Sequence, residues 1–479
     1  MTGPERFAAV VVGAGPAGLT GAVRLAAAGL RTALVDAAPR PGGQFWRHTE
    51  AAGTRGQHDR SALRRLLRDL AAHRKAGLID YRPGREVYLI TGAPGERRLE
   101  LRPTAPGGPP TADDGPEGES VIAERLLLCP GGHDRQLPLP GWDLPGVVAA
   151  GGAQALLKGQ RTLVGRRVLV AGTGPFLLPV AVGLARGGAT VVGICEANDP
   201  GRWVRSAAAV ARVPGKLLEG AGYLAGLARQ RIPYRSRTIV GEIRADDRVR
   251  SVRLDRLDRA GNRVRTGIAE LEVDTVALGW GFTPSLELIM MVGAATGLGV
   301  DGSLITEVDA GQRTSQPDVY VAGEACGVGG AALARLEGEL AARSLLGESP
   351  TEDKIIRRIG RLRAFAEAMH RAHPVPAGWP DWCPPDTLLC RCEEVTLAEA
   401  ERATSDLAAR SARQLKLFTR CGMGWCQGRI CGPNVARLVR GRDQDHDDVE
   451  DLRAMAKRTF AVPVTLGELA RLSDPRRPR

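Results

Sequence analysis

The 479 residues are 43% apolar with a mean hydropathy of −0.14, which excludes a chain of membrane spans and fits a soluble protein of roughly three domains. The formal net charge is +12, yet arginine is spread along the whole chain, with no basic tract beyond Arg476-Arg477-Pro478-Arg479. A nucleic-acid footprint should be clustered, so no nucleic-acid partner is expected.

No apolar run approaches the about 20 residues of a transmembrane helix, and Met1–Arg6 leads straight into a strand-like run without a signal-peptide core. The cytoplasm is therefore the expected location, with a peripheral seat at the inner face of a membrane as the alternative. Nine cysteines in a reducing compartment point to metal or redox chemistry instead of disulfides.

In chain order, the first predicted strand is Phe7 to Val12, followed at once by Gly13-Ala14-Gly15-Pro16-Ala17-Gly18. A helix over Leu19 to Ala28 comes next, Gly29 stops it, and a strand over Thr32 to Val35 ends at Asp36. This order is a complete βαβ dinucleotide unit. Gly13 permits the tight turn, Gly15 lets backbone approach a pyrophosphate, and Gly18 allows helix and strand to pack closely. Asp36 stands where a carboxylate accepts hydrogen bonds from an adenosine ribose.

Pro103 to Ser120, rich in Pro, Gly and acidic residues, reads as a solvent loop. A second βαβ unit runs from Arg167 to Glu196, with Gly172-Thr173-Gly174-Pro175-Phe176-Leu177 between strands Val168–Ala171 and Thr190–Cys195. Leu177 replaces the third glycine, and its bulk is expected to push the helix off the strand. Gly172, Gly174 and Glu196 are the candidate contacts of a second nucleotide, NAD or ATP. Glu196 favours NAD over NADP.

Near the C-terminus come Cys390-Arg391-Cys392 and, after 28 residues, Cys421-Gly422-Met423-Gly424-Trp425-Cys426, with Cys431 beyond. Two close pairs of thiolates suit a [2Fe–2S] cluster or a tetrahedral zinc. The expected ligands are Cys390, Cys392, Cys421 and Cys426, with Cys431 as a substitute for Cys426. The isolated Cys129, Cys195, Cys326 and Cys383 read as core.

Two nucleotide folds in one chain resemble the disulfide-reductase-like flavoproteins. Asp318-Val319-Tyr320-Val321-Ala322-Gly323-Glu324 looks like their second FAD fingerprint, with Glu324 where the family usually has Asp. Leu126–Gly132 occupies the place of their crossover strand, and Gly281-Phe282-Thr283-Pro284 resembles their return junction. Pro138-Leu139-Pro140-Gly141-Trp142-Asp143-Leu144-Pro145-Gly146-Val147 and Pro41-Gly42-Gly43-Gln44 with Arg47 are narrower. They resemble the FAD-binding α subunits of bacterial opine oxidases, hydroxyproline dehydrogenases and hydrogen cyanide synthase. The cysteine block is similar to the bacterioferritin-associated-ferredoxin-like module of those subunits.

The resemblance implies an α/β fold of two disulfide-reductase-like dinucleotide-binding domains plus a small α-helical [2Fe–2S] domain. The expected boundaries are 1–155 and 285–348 for an FAD domain, 156–284 for the second nucleotide domain, 380–445 for the cluster domain and 446–479 for a tail. Gly13, Gly15, Pro16, Ala17, Gly18, Asp36, Gly43, Gln44, Arg47, Gly131, Gly323 and Glu324 become FAD contacts. Gln44, Arg47 and His48 are placed near the isoalloxazine, and Glu324 on the ribityl chain. The implied role is electron relay from a glycine-oxidase-like flavoprotein β subunit, which oxidises an amine or amino acid, towards an acceptor that the sequence does not identify. A self-sufficient NADH-dependent reductase is the alternative.

Overall fold

The computed structural model describes residues 4–49, 57–104, 119–348, 354–441 and 448–472. The core of the acidic loop read from the sequence, 105–118, falls outside them.

The first nucleotide fold is built on a five-stranded parallel sheet in the order Val319–Val321, Leu126–Leu128, Ala9–Val12, Thr32–Asp36 and Ile79–Pro83. Ala9–Val12 is buried on both faces, as a parallel sheet covered by helices requires. Val319–Val321, from far along the chain, pairs with Leu126–Leu128, so two chain segments share one sheet. Helix Pro16–Ala27 begins directly after Gly15. A Cβ on Gly18 would lie 1.8 Å from the Gly13 carbonyl oxygen, and one on Gly13 would lie 2.3 Å from that of Cys129. Only glycine fits either place.

The second fold repeats the pattern, with parallel strands ordered Val147–Ala149, Thr275–Gly279, Arg167–Gly172, Thr190–Glu196 and Tyr234–Ser236. Val147–Ala149 therefore belongs to the second sheet. The first crossover falls before Val147, earlier than the boundary at 155 read from the sequence. The return is pinned where Phe282–Pro284 pairs antiparallel with Gly132–Asp134.

The cluster module comprises a two-strand ribbon, Leu388–Cys390 with Val395–Thr396, and helices Leu397–Ser405, Ala412–Thr419 and Gly432–Arg440. A capping box at Thr396 and Glu399 starts the first of these helices. The segment read as a tail is part of the fold. Helix Asp448–Ala456 packs on the module, and the Asp451 carboxylate, 3% exposed, accepts the Ala412 N–H at 2.8 Å. Further on, the Ala461 N–H bonds the Tyr88 carbonyl in the first domain at 2.9 Å.

The module does not stand alone. Trp142, Trp280, Trp379, Trp382, Leu389 and Cys431 share one buried core with the second sheet. The Trp142 indole N–H bonds the Leu388 carbonyl at 2.7 Å, and the Asn434 amide bonds the Gln136 carbonyl at 2.9 Å.

Candidate functional site

The first nucleotide turn is preorganised by close backbone approach. Gly42 N–H donates to the Ala14 carbonyl at 2.8 Å, and a Cβ on Gly43 would meet the Gly15 Cα at 2.9 Å. Asp36 ends its strand buried, and its Oδ2 has no hydrogen-bond partner among the described residues. Burial raises its carboxyl to about 6 from 3.8, while backbone N–H groups of Ala38 and Ala14, then the Arg47 guanidinium, pull it back. A buried carboxylate oxygen without a donor, beside a glycine cradle, fits a ribose hydroxyl, so the residues present suit FAD.

That carboxylate carries a pH signature. Its folded pKa lies above the unfolded value, so its contribution is fully present below about pH 4 and lost as pH rises through about 6. At pH 7.5 the flavin-free fold then carries a cost of up to about 3 kcal/mol. Asp36→Asn is expected to stabilise flavin-free protein by about 2 kcal/mol at pH 7.5, with little effect at pH 4, while weakening FAD binding about tenfold or more. Calorimetry at the two pH values together with FAD titration checks this; equal stabilisation at both pH values would refute it.

The other expected FAD contacts divide. Pro16 and Ala17 open the helix at the turn, and Gly131 has positive φ with open space where a side chain would stand. Gln44 is exposed. Arg47, expected near the isoalloxazine, lies within electrostatic reach of Asp36, and its stem packs against Gly159. The Glu324 carboxylate folds back to accept the Gly330 N–H at 2.9 Å, at the start of helix Ala331–Leu345. Its extra methylene allows that reach, so one of its oxygens is engaged internally. The sequence reading missed Glu337, which is fully buried, accepts the Gly323 N–H at 2.9 Å and pairs with Arg363. Its signal is an acid on the apolar side of a helical stretch, ALARLEGEL.

The second nucleotide turn is filled by its own acid. Glu196, 1% exposed, accepts the Thr173 hydroxyl at 2.8 Å, the Asn198 N–H at 2.9 Å and the Gly174 N–H at 2.8 Å. His373 Nδ1 stands 3.3 Å from the same carboxylate. Its Nε2 accepts the Trp203 indole N–H at 2.9 Å, so Nδ1 bears the proton. Asn198 also donates to the Pro374 carbonyl at 2.8 Å, tying the connector before the cluster module onto this turn. Gly172 is forced, since a Cβ there would lie 1.8 Å from the Gly279 carbonyl oxygen. Leu177 does not push the helix away. It is buried, and its Cδ2 fills the space where Gly279 lacks a side chain. The helix instead begins late, at Leu177.

All five C-terminal thiols converge. The sulfurs of Cys390, Cys421 and Cys431 lie within 4.8 Å of one another. Cys426 is in hydrogen-bond contact with Cys431 and Cys392. Cys431, which spacing ranks only as a substitute, touches Cys390, Cys421 and Cys426. Gly424 has no room for a side chain, since a Cβ would lie 2.3 Å from that of Cys392. Met455 presses its methyl over Gly422 and Gly428, a contact no motif foretold. Cys392 is exposed, with Met423 and Trp425 exposed beside it. A thiol-only set of this density suits a [2Fe–2S] cluster.

The Pro138–Val147 stretch packs against the segment that leads into the first cysteine pair. Cys383 Sγ bonds the Pro138 carbonyl at 3.2 Å, and the Arg391 guanidinium, between two cysteines, sits 4.5 Å from the Trp142 ring centre. Towards the first domain, His133 Nε2 donates to the Arg429 carbonyl at 3.3 Å, and Ser285 Oγ lies 3.5 Å from Nδ1. Glu287 gathers the guanidinium groups of Arg429 at 2.7 Å and Arg458 at 3.3 Å. The isolated Cys129, Cys195 and Cys326 are buried, and burial pushes their thiols up.

Comparison with known proteins agrees with this architecture. Residues 7–341 match the pyridine nucleotide-disulphide oxidoreductase family, and 388–440 the BFD-like [2Fe-2S] binding domain. The chain is 33% identical to the HcnB component of hydrogen cyanide synthase from Pseudomonas aeruginosa, over 91% of this chain and 94% of that one. It is 32% identical to an opine oxidase subunit of Rhizobium meliloti, over 98% and 99%. The crystal structure of L-proline dehydrogenase from P. horikoshii superposes with a TM-score of 0.67 at 18% identity, covering 98% of this chain and 81% of that one. No helix among the described residues is long and apolar enough to cross a membrane. The chain is an FAD-dependent oxidoreductase with a [2Fe–2S] domain, and it belongs to the pyridine nucleotide-disulphide oxidoreductase family, alongside the hydrogen cyanide synthase and opine oxidase subunits.

Proposed function

We propose that this chain is the electron-relay subunit of a heteromeric amine or amino-acid dehydrogenase. It would take electrons from a partner, a glycine-oxidase-like flavoprotein, and pass them to a separate acceptor. When bound, FAD holds two electrons and the [2Fe–2S] cluster takes them singly. The observation that carries the reading is the His133–Arg429 hydrogen bond, which joins the crossover of the flavin domain to the loop between Cys426 and Cys431. Arg429 and Arg458, anchored by Glu287, add positive charge beside that loop, which favours the reduced cluster. A closed second nucleotide turn weighs against the self-sufficient NADH reductase. Location in the cytoplasm, with a peripheral seat at the inner face of a membrane as the alternative, belongs to the same reading.

The ligand set that best suits the contacts is Cys390, Cys392, Cys426 and Cys431. Cys392 and Cys426 touch and would serve one iron. Cys390 touches both Cys421 and Cys431. Cys431 is favoured for the second iron because it touches Cys426 as well as Cys390, and it stands at the N-terminus of helix Gly432–Arg440. This replaces Cys421, which spacing favoured.

The test is co-expression. The chain alone should turn over no amine, and activity should appear only on co-expression with a flavoprotein partner. Amine oxidation by the isolated chain at the rate of the complex would overturn the relay. Metal analysis should return about two irons per chain; one zinc and no iron would remove the cluster.

A further inference from the structure

The buried side of the cysteine loop is covered by a side chain from beyond the [2Fe–2S] domain proper. The match to that domain ends at residue 440, and helix Asp448–Ala456 follows it. Met455 on this helix is 4% exposed. Its Cε lies 2.7 Å from where a Cβ on Gly422 would stand and 3.5 Å from the same point on Gly428. Its Cβ lies 3.3 Å from that point on Gly432. These glycines are buried and stand next to or between Cys421, Cys426 and Cys431. The Gly422 point is also 3.9 Å from Cys431 Sγ. Bare backbone beside the thiols thus meets one flexible apolar side chain.

The helix is clamped in place. Besides the Asp451–Ala412 bond, Arg453 Nε donates to Thr296 Oγ1 in the first domain at 3.0 Å. Just beyond the helix, Arg458 Nε donates to the Gln427 carbonyl, inside the cysteine loop, at 3.1 Å. A cavity of about 170 Å³ adjoins this contact, lined by Met455, Gly428, Gly432, Arg429, Glu287 and Arg458 among others. It is polar and roomy enough for several waters. Gly422 is not among its lining residues, and Met455 is what covers it. The other side of the thiol cluster has no such cover, since Cys392 and Trp425 are exposed there.

We propose that Met455 is a positioning residue of the cluster site, which keeps cavity water off the cysteine loop and so holds the reduction potential of the cluster down. A reduced cluster carries one more negative charge than the oxidised one, so a dry surrounding disfavours it and water stabilises it. Arg429 and Arg458 act in the opposite sense. The inference rests on the [2Fe–2S] cluster and adds what sets its potential; it is independent of the direction of the relay.

The test is a redox titration of the full-length chain loaded with flavin and cluster, followed by electron paramagnetic resonance. Met455→Ala, which joins the cavity to the loop, should favour reduction about tenfold, a rise of about 59 mV for one electron. Met455→Gln, similar in shape but polar, should move the potential the same way without leaving a void. Met455→Leu, a volume-conserving change, should titrate like the wild type. In D2O the reduced Ala and Gln variants should show additional exchangeable deuterons near the cluster, and the Leu variant none. An unchanged potential in Met455→Gln with iron intact overturns the proposal, whether or not Met455→Ala holds its cluster. A shift in Met455→Leu as large as that in Met455→Ala also overturns it, because the effect is then one of fit and not of dryness. One zinc and no iron in the wild type removes the cluster and this inference together.

Discussion

Cys431→Ser is expected to strip the [2Fe–2S] cluster and leave FAD in place. Cys431 touches three of the other four thiols, and it sits at the N-terminus of helix Gly432–Arg440. Serine at that place offers a harder, poorly ionised oxygen, which matches iron–sulfur chemistry badly. Cys421→Ser should retain near-stoichiometric iron, because Cys390 and Cys431 still form a touching pair. Iron analysis and the visible spectrum of the two variants decide between the sets. Retention of iron in Cys431→Ser, with its loss in Cys421→Ser, would restore the set favoured by spacing. The flavin band should survive both changes, since Asp36 and the Gly13–Gly18 turn lie in the other nucleotide sheet.

NADH should reduce the flavin at least about 100-fold more slowly than the ~10 s⁻¹ of ordinary turnover. The Gly174 N–H that would meet a pyrophosphate is held by Glu196, and the carboxylate that would meet a ribose is spent on Thr173, Asn198 and Gly174. Opening the turn means breaking this buried network. Glu196→Ala should therefore destabilise the protein by about 3 kcal/mol. Amine-driven reduction of the complex should remain in the folded variant. Stopped-flow mixing with NADH and thermal melts check the pair. Fast bleaching by NADH in the wild type, with Glu196→Ala raising KM but leaving stability unchanged, would show a working cofactor site.

The sequence was most legible where local chemistry dictates structure. Gly13 and Gly18 are readable because a Cβ fits at neither, and Asp36 because its strand ends on a buried carboxylate. Leu177 misled for the converse reason. In the first turn the third glycine lies against the Gly13 carbonyl, whereas in the second the helix begins only at Leu177, whose side chain meets Gly279 from a distant strand. The cysteines were ambiguous because Cys421–Cys426 and Cys426–Cys431 have the same spacing, and spacing cannot rank them. Helix Asp448–Ala456 went unread since its contribution is tertiary, through Met455 on the cluster loop and Asp451 on a neighbouring helix. Glu196 reads as a ligand contact, and nothing local announces that His373, from a distant connector, closes over it.

The shared core around Trp142, Trp382 and Cys431 has a consequence for timing. A redox module on a loose tether delivers its charge by swinging between stations, and its rate is then set by diffusion of the arm. Here the module is keyed onto the crossover stretch 136–142 by Asn434, Leu388 and Cys383, and the loop between its cysteines is bonded to His133. Under the proposed relay, the spacing of the two cofactor sites would be set by this packing, and the pace by what arrives at the chain and what collects from it.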